Sequence, residues 1–213
     1  MTRADRTHLY FLLDRSGSMQ SIKTDTEGGF SAFVAEQRAA AGECRVTLAQ
    51  FDNDYEVVYA DKPIAEVPPL TLAPRGSTAL LDAIGRLITE AGSALGALPE
   101  AERPGTVVVA IMTDGQENAS HEWDRPAVKA LVQQQSADYD WQFLYMGADQ
   151  DAIEVGESMG VGAGHSLTYG RGAVDRMMAA TSANVAGYRA LRLAGARVPM
   201  AAFTDQQRNE SIE

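Results

Sequence analysis

The stretch FLLDRSGSMQ, residues 11–20, runs from an apolar segment straight into Asp14, Ser16 and Ser18, three hard oxygen groups within five positions. Burying such groups without partners would be costly. Two readings satisfy them: a polar turn in which Ser18 caps the following helix, or a cation held by carboxylate and hydroxyl oxygens. The same chemistry recurs twice. Thr78 closes a proline-rich stretch in RGST, just before a helical pattern, and Asp114 follows an apolar run in MTDGQEN. For Thr78 the local reading is again a helix N-cap, with Asp82 as a first-turn acid favoured by the helix dipole. Taken in register, the five residues Asp14, Ser16, Ser18, Thr78 and Asp114 favour the cation.

These groups must be positioned by larger elements. Continuous apolar runs alternate with stretches of helical period, the pattern of a parallel sheet covered by helices on both faces. HLYFLL from His8, RVTLAQF from Arg45, TVVVAIM from Thr106 and WQFLYM from Trp141 read as buried strands. Helical patterns cover residues 19–41, 79–98, 125–136, 150–159 and 172–193, the last with Met177, Met178, Val185, Tyr188 and Leu191 on its apolar side. Gly28 and Gly29 each weaken a helix interior by about 1 kcal/mol, which predicts a kink in the first helix.

One connection breaks the alternation. Asn53 and Asp54 lie between two strand-like runs, which is hairpin chemistry, so residues 56–60 read as an antiparallel edge strand. Pro63, Pro68, Pro69 and Pro74 exclude regular structure over residues 63–77. The expected fold class is therefore α/β: a Rossmann-like open, mostly parallel sheet with one antiparallel edge strand and helices on both faces. Residues 7–195 form a single domain, and the termini, 1–6 and 204–213, are expected to be flexible. In such sheets ligands bind beyond the carboxyl ends of the strands, where strand order reverses. If the His8 and Thr106 strands are neighbours, all five oxygen-bearing residues meet in one crevice.

Asp-x-Ser-x-Ser at 14–18, Gly-x-Thr at 76–78 and Thr-Asp-Gly at 113–115 occur in this order on an α/β pattern. They resemble the metal-ion-dependent adhesion site (MIDAS) of a von Willebrand factor type A (vWA) domain. The resemblance spans residues 7–193, with the small stand-alone cytoplasmic bacterial and phage members the most similar. It implies a bound Mg²⁺, with Mn²⁺ or Ca²⁺ as alternatives. Ser16 and Ser18 would be direct ligands, Thr78 direct or through water, and Asp14 and Asp114 mostly bound through water. Gly17 and Gly115 would let the backbone turn closely beneath the ion. Mostly neutral direct ligands leave such an ion electrophilic, so a Glu or Asp of a partner protein would complete its shell. The function implied is a divalent-metal-dependent protein-binding module.

Composition narrows the alternatives. The net charge of −11 over 213 residues argues against nucleic acid and against anionic membrane surfaces. No apolar run approaches the roughly 20 residues that span a bilayer, and the amino terminus lacks a secretory pattern, so the expected location is cytoplasmic. The single cysteine, Cys44, is expected to be reduced and structural. A Mg²⁺-dependent phosphotransferase would need a second acid two positions after Asp14, where Ser16 stands, and no GxxxxGK[ST] loop is present. The expectation is that the chain is not an enzyme; a structural subunit of a phage or bacterial assembly is the other alternative. GVGAGH at 160–165 does not follow the first strand as a dinucleotide loop would. Glu117, Asn118, His121, Glu122 and Asp124 predict an acidic rim, and hence a partner whose carboxylate is surrounded by Lys or Arg.

Overall fold

The computed structural model describes residues 2–212. The apolar runs form β1 (Arg3–Asp14), β2 (Glu43–Phe51), β4 (Pro104–Thr113) and β5 (Gln142–Ala148), joined by β3 (Tyr55–Pro63) and β6 (Ser166–Tyr169) in one sheet of order β3-β2-β1-β4-β5-β6. Every neighbouring pair is parallel except β2 with β3. The Asn53-Asp54 segment makes the expected hairpin, closed by Asp54 N donating to Asp52 Oδ1 at 2.8 Å, and β3 is the antiparallel edge.

The helices are α1 (Lys23–Ala39), α2 (Leu80–Ala97), α3 (Arg125–Tyr139), α4 (Ala152–Ser158), α5 (Val174–Leu193) and α6 (Asp205–Glu210). Successive strand residues point to opposite faces, so Phe11 and Leu13 bury against α1 and α5, whereas Tyr10 and Leu12 bury against α2, α3 and α4. On the first face Phe11 meets Phe30 and Phe33 edge-on at 5.1 and 5.6 Å. Strand order reverses between β1 and β4, which opens a crevice at the ends carrying Asp14 and Thr113. Among the described residues no helix is long and apolar enough to cross a membrane.

The structure departs from the sequence expectations at several places, among them β6, which the sequence did not predict. The helical pattern over 19–41 begins as a 3-10 helix, Gly17–Ile22, and α1 then runs unbroken through Gly28 and Gly29. A Cβ at Gly29 would stand 2.9 Å from Met178 Cγ, so the missing side chain is what lets α5 pack closely. The proline-rich segment is not wholly without regular structure: β3 runs to Pro63 and a 3-10 turn covers Ile64–Glu66. After that the chain is irregular but packed, with Val67, Leu70 and Leu72 buried and Leu72 N donating to Glu27 Oε1 at 2.8 Å.

Composition predicts mobility for the polar tail from Thr204, yet it contains α6. Thr204 and Gln207 form a reciprocal capping box, and Arg208 donates to Ser166 O and Ala163 O, both at 2.8 Å. The tail thereby covers β6, a sheet edge that would otherwise present unpaired backbone groups. At the other end β1 already starts at Arg3, whose N donates to Arg103 O at 2.8 Å. Met1 and Glu213 lie outside the described residues.

Candidate metal centre

Asp14 ends β1 and is completely buried. Its Oδ1 accepts from the Ser16 main-chain N–H and its Oδ2 from the hydroxyl of Thr113, the last residue of β4, each at 2.6 Å. Burial pushes its carboxyl up to about 6, against the pull of the Thr113 and Ser16 bonds. Among the described residues no cation is a partner of its carboxylate. The rest of the centre is a chain of oxygens: Ser16 Oγ lies 3.0 Å from Ser18 Oγ, which donates to Asp114 Oδ1 at 2.6 Å.

Thr78 arrives from the proline-rich segment and is fixed on both sides. Its N–H donates to Asn118 Oδ1 at 3.0 Å, and its carbonyl accepts from Asn118 N at 3.1 Å. Upstream, Gly76 takes φ +68°, a left-handed conformation where a side chain would also collide with Asn53 Oδ1. Gly17 N donates to Gly76 O and Arg75 N to Arg15 O, at 3.2 and 2.8 Å, joining this turn to the β1 exit.

The three segments converge at Gly115. A Cβ placed there would stand 2.8 Å from Thr78 Oγ1, 3.5 Å from Asp14 Oδ2 and 3.6 Å from Ser16 Oγ. Three oxygens from two segments, the β1 exit and the Thr78 turn, thus surround a spot on the third that a glycine leaves open. The competing N-cap readings are not realised. The helix opening at Gly17 has no side-chain cap, and α2, which starts at Leu80 with Ala79 in the N-cap position, has none either. Ser18 and Thr78 keep their hydroxyls for the centre. Asp82, by contrast, is structural: it accepts from the main chain of His121, Glu122 and Trp123 at 2.8–2.9 Å and ties that loop to α2.

Two carboxylates and three hydroxyls make a hard-oxygen donor set, suited to Mg²⁺, Mn²⁺ or Ca²⁺. Among the described residues no group of three or more His, Cys, Asp or Glu side chains could hold an ion, so hydroxyls are essential to any site here. A cavity of about 500 Å³ opens nearby between α3 and α4, lined by Glu117, Arg125, Tyr145 and Gln150 among others, but none of the five residues lines it.

The rim differs from its expectation. Glu117 turns inward and accepts from Leu81 N, Ala119 N and Ser120 N and from the Ser120 hydroxyl, at 2.7–2.9 Å. Burial works to raise its pKa, but these bonds prevail and hold it below the usual carboxylate range. Glu122 pairs with Arg86, and Asp124 caps α3 through Ala127 N at 2.9 Å. His121 and Asn118 remain exposed. The acids counted by sequence are thus largely engaged within the chain. What the sequence did not reveal is Arg171, in the turn after β6, whose Nη1 donates to Asp114 Oδ2 at 2.7 Å. Nothing in its neighbourhood signals this role, because β6 itself has no apolar run.

No family model matches the chain, and no curated protein matches it. Solved structures do. The ArnB paralog VWA2 from Sulfolobus acidocaldarius is similar at a TM-score of 0.55 with 15% identity, over 84% of this chain and 44% of that one. A von Willebrand factor type A protein from Catenulispora acidiphila gives 0.54 and 16%, over 85% and 43%. Proximal thread matrix protein 1 from the mussel byssus, with a zinc-occupied MIDAS motif, gives 0.57 and 12%, over 85% and 46%. The chain spans less than half the length of each of these structures. At this identity the likeness shows the fold, which is that of a vWA domain.

Proposed function

We infer that the chain is a divalent-metal-dependent protein-interaction module, in which Asp14, Ser16, Ser18, Thr78 and Asp114 hold Mg²⁺ and an Asp or Glu of a partner protein binds to it. The observation that supports this most is the convergence of Thr78 Oγ1, Asp14 Oδ2 and Ser16 Oγ around Gly115, beside a buried Asp14 with no cationic partner among the described residues. A cation would relieve the desolvation that raises the Asp14 pKa. When bound, the ion would supply a Lewis-acidic position for a carboxylate oxygen. The zinc-occupied motif of the mussel thread protein lends support to a divalent ion in this fold. The reading is non-catalytic, since Ser16 stands where a second acid would be needed. We assign it a bacterial cytoplasmic setting, in keeping with the buried, free Cys44.

Thermal unfolding in EDTA, Mg²⁺, Mn²⁺ or Ca²⁺ tests this, comparing the native sequence with Ser16→Ala/Ser18→Ala. An ion at one hundred times its dissociation constant adds about 2.7 kcal/mol. The expected result is a Mg²⁺-induced rise in Tm that the double variant lacks, and capture of a partner that EDTA abolishes. A native chain indifferent to all three ions would overturn the reading.

A further inference from the structure

Arg171 is built into the centre from outside the motif. Its Nη1 donates to Asp114 Oδ2 and Ser21 Oγ, both at 2.7 Å, and to Ser18 O at 3.3 Å. Its Nε donates to Asp149 Oδ2 at 2.8 Å, whereas the acceptor for Nη2 is the Asp114 main-chain oxygen at 3.4 Å. The side chain is 38% exposed, and the Asp114 carboxylate it meets is fully buried. Asp114 is therefore shared, one oxygen facing Ser18 and the other facing Arg171.

A guanidinium does not lose its proton in a protein, so this positive charge is permanent. Counting Asp149, which shares the guanidinium, three carboxylates and one guanidinium give the centre two net negative charges. A divalent ion then leaves it neutral, whereas without Arg171 it would stay net negative and repel a carboxylate. The charge that weakens the hold on a cation is the same charge that attracts an anion. The long bond at Nη2 also leaves a planar donor beside the centre, suited to the second oxygen of a carboxylate.

We propose that Arg171 is a specificity-determining residue of the centre, which lowers its affinity for the metal ion and raises the affinity of the loaded centre for a partner carboxylate. This rests on the metal-dependent reading above. A residue that merely positions Asp114 would act in the opposite direction on the metal, because its removal would loosen a ligand.

The test uses the full chain with Mn²⁺ and acetate as probes. Free Mn²⁺ is followed by electron paramagnetic resonance, and acetate by relaxation of its methyl protons on the Mn²⁺-loaded protein. Arg171→Gln should bind Mn²⁺ on the order of tenfold more tightly and acetate several-fold more weakly. Arg171→Lys keeps the charge and should bind Mn²⁺ within about twofold of the native chain. The metal-free Tm of each variant establishes that it is folded. If Arg171→Gln binds Mn²⁺ equally or more weakly, or if Lys shifts it as far as Gln does, the inference falls while the module reading stands. If neither native nor variant chain binds Mn²⁺, both fall.

Discussion

Arg189 on α5 donates through Nη1 to both the main-chain and the side-chain oxygen of Gln37 on α1, at 2.8 and 2.9 Å. Arg189 is 2% exposed, and its other nitrogen Nη2 reaches Ala41 O and Gly42 O at 3.4 Å. Its partners are thus carbonyl oxygens at the end of α1, where the helix dipole favours a cation. Gln37 in turn donates to Ser182 O and Oγ at 2.9 Å. The two helices flanking one side of the sheet are joined by this lock at the rear, while at the other end Arg171, in the turn that leads into α5, reaches Ser18 O in the turn that leads into α1.

Removing the lock leaves buried carbonyls without donors, each costing about 1–3 kcal/mol. Arg189→Met preserves most of the volume and should lower stability by about 3 kcal/mol in urea unfolding with an unchanged m-value. The Mg²⁺-induced stabilisation should survive, because no ligand is touched. A loss under about 0.5 kcal/mol would show that the lock is not a stability element.

His8 makes the chain sensitive to acid at a distance from the metal centre. It is 4% exposed, stacks on Tyr10 at 4.1 Å and places Nε2 2.9 Å from Thr47 Oγ1. Burial lowers its pKa from 6.5 to about 4, against the pull of Asp61. Between those values the unfolded chain binds a proton that the folded chain refuses, so stability falls as pH drops from 6.5 towards 4. Asp14 works in reverse: with its pKa raised from 3.8 to about 6, it favours the folded state as pH falls through that range. A comparison with His8→Gln isolates the histidine. From pH 7 to pH 5 the native chain should lose about 2 kcal/mol more than the variant. Parallel curves would mean that His8 takes up its proton while folded.

The parts of the centre that were legible in sequence are those set by short spacing and strong burial. Asp14, Ser16 and Ser18 leave the apolar β1, and Asp114 leaves the apolar β4, so their convergence needs only that these strands be neighbours. β6 escaped notice because four residues, SLTY, carry too little pattern; parallel pairing of Tyr145 with Ser166 and of Ala148 with Tyr169 holds them in the sheet. The continuity of α1 overrides the local preference of Gly28 and Gly29; at Gly29 the contact with Met178 is a tertiary one that local sequence does not show. Charge was the least legible property. Glu117 and Glu122 read as outward-facing acids, yet backbone N–H groups and Arg86 engage them. Arg171 lies 57 positions from Asp114, and only the fold joins the two.

Gly115 offers a substitution aimed at the open spot itself. Its φ lies outside the left-handed region, so alanine is compatible with the backbone. The added Cβ would stand 2.8 Å from Thr78 Oγ1 and within 3.6 Å of Asp14 Oδ2 and Ser16 Oγ, occupying the space these oxygens enclose. The metal-free Tm of Gly115→Ala should therefore shift by a few degrees at most, corresponding to about 1 kcal/mol. Its affinity for Mg²⁺, read from the Tm increase as the ion is titrated, should fall at least about tenfold, or roughly 1.4 kcal/mol. A variant that folds and keeps the full Mg²⁺ response would place the ion elsewhere, and the convergence at Gly115 would then be a packing arrangement between Thr78, Asp14 and Ser16.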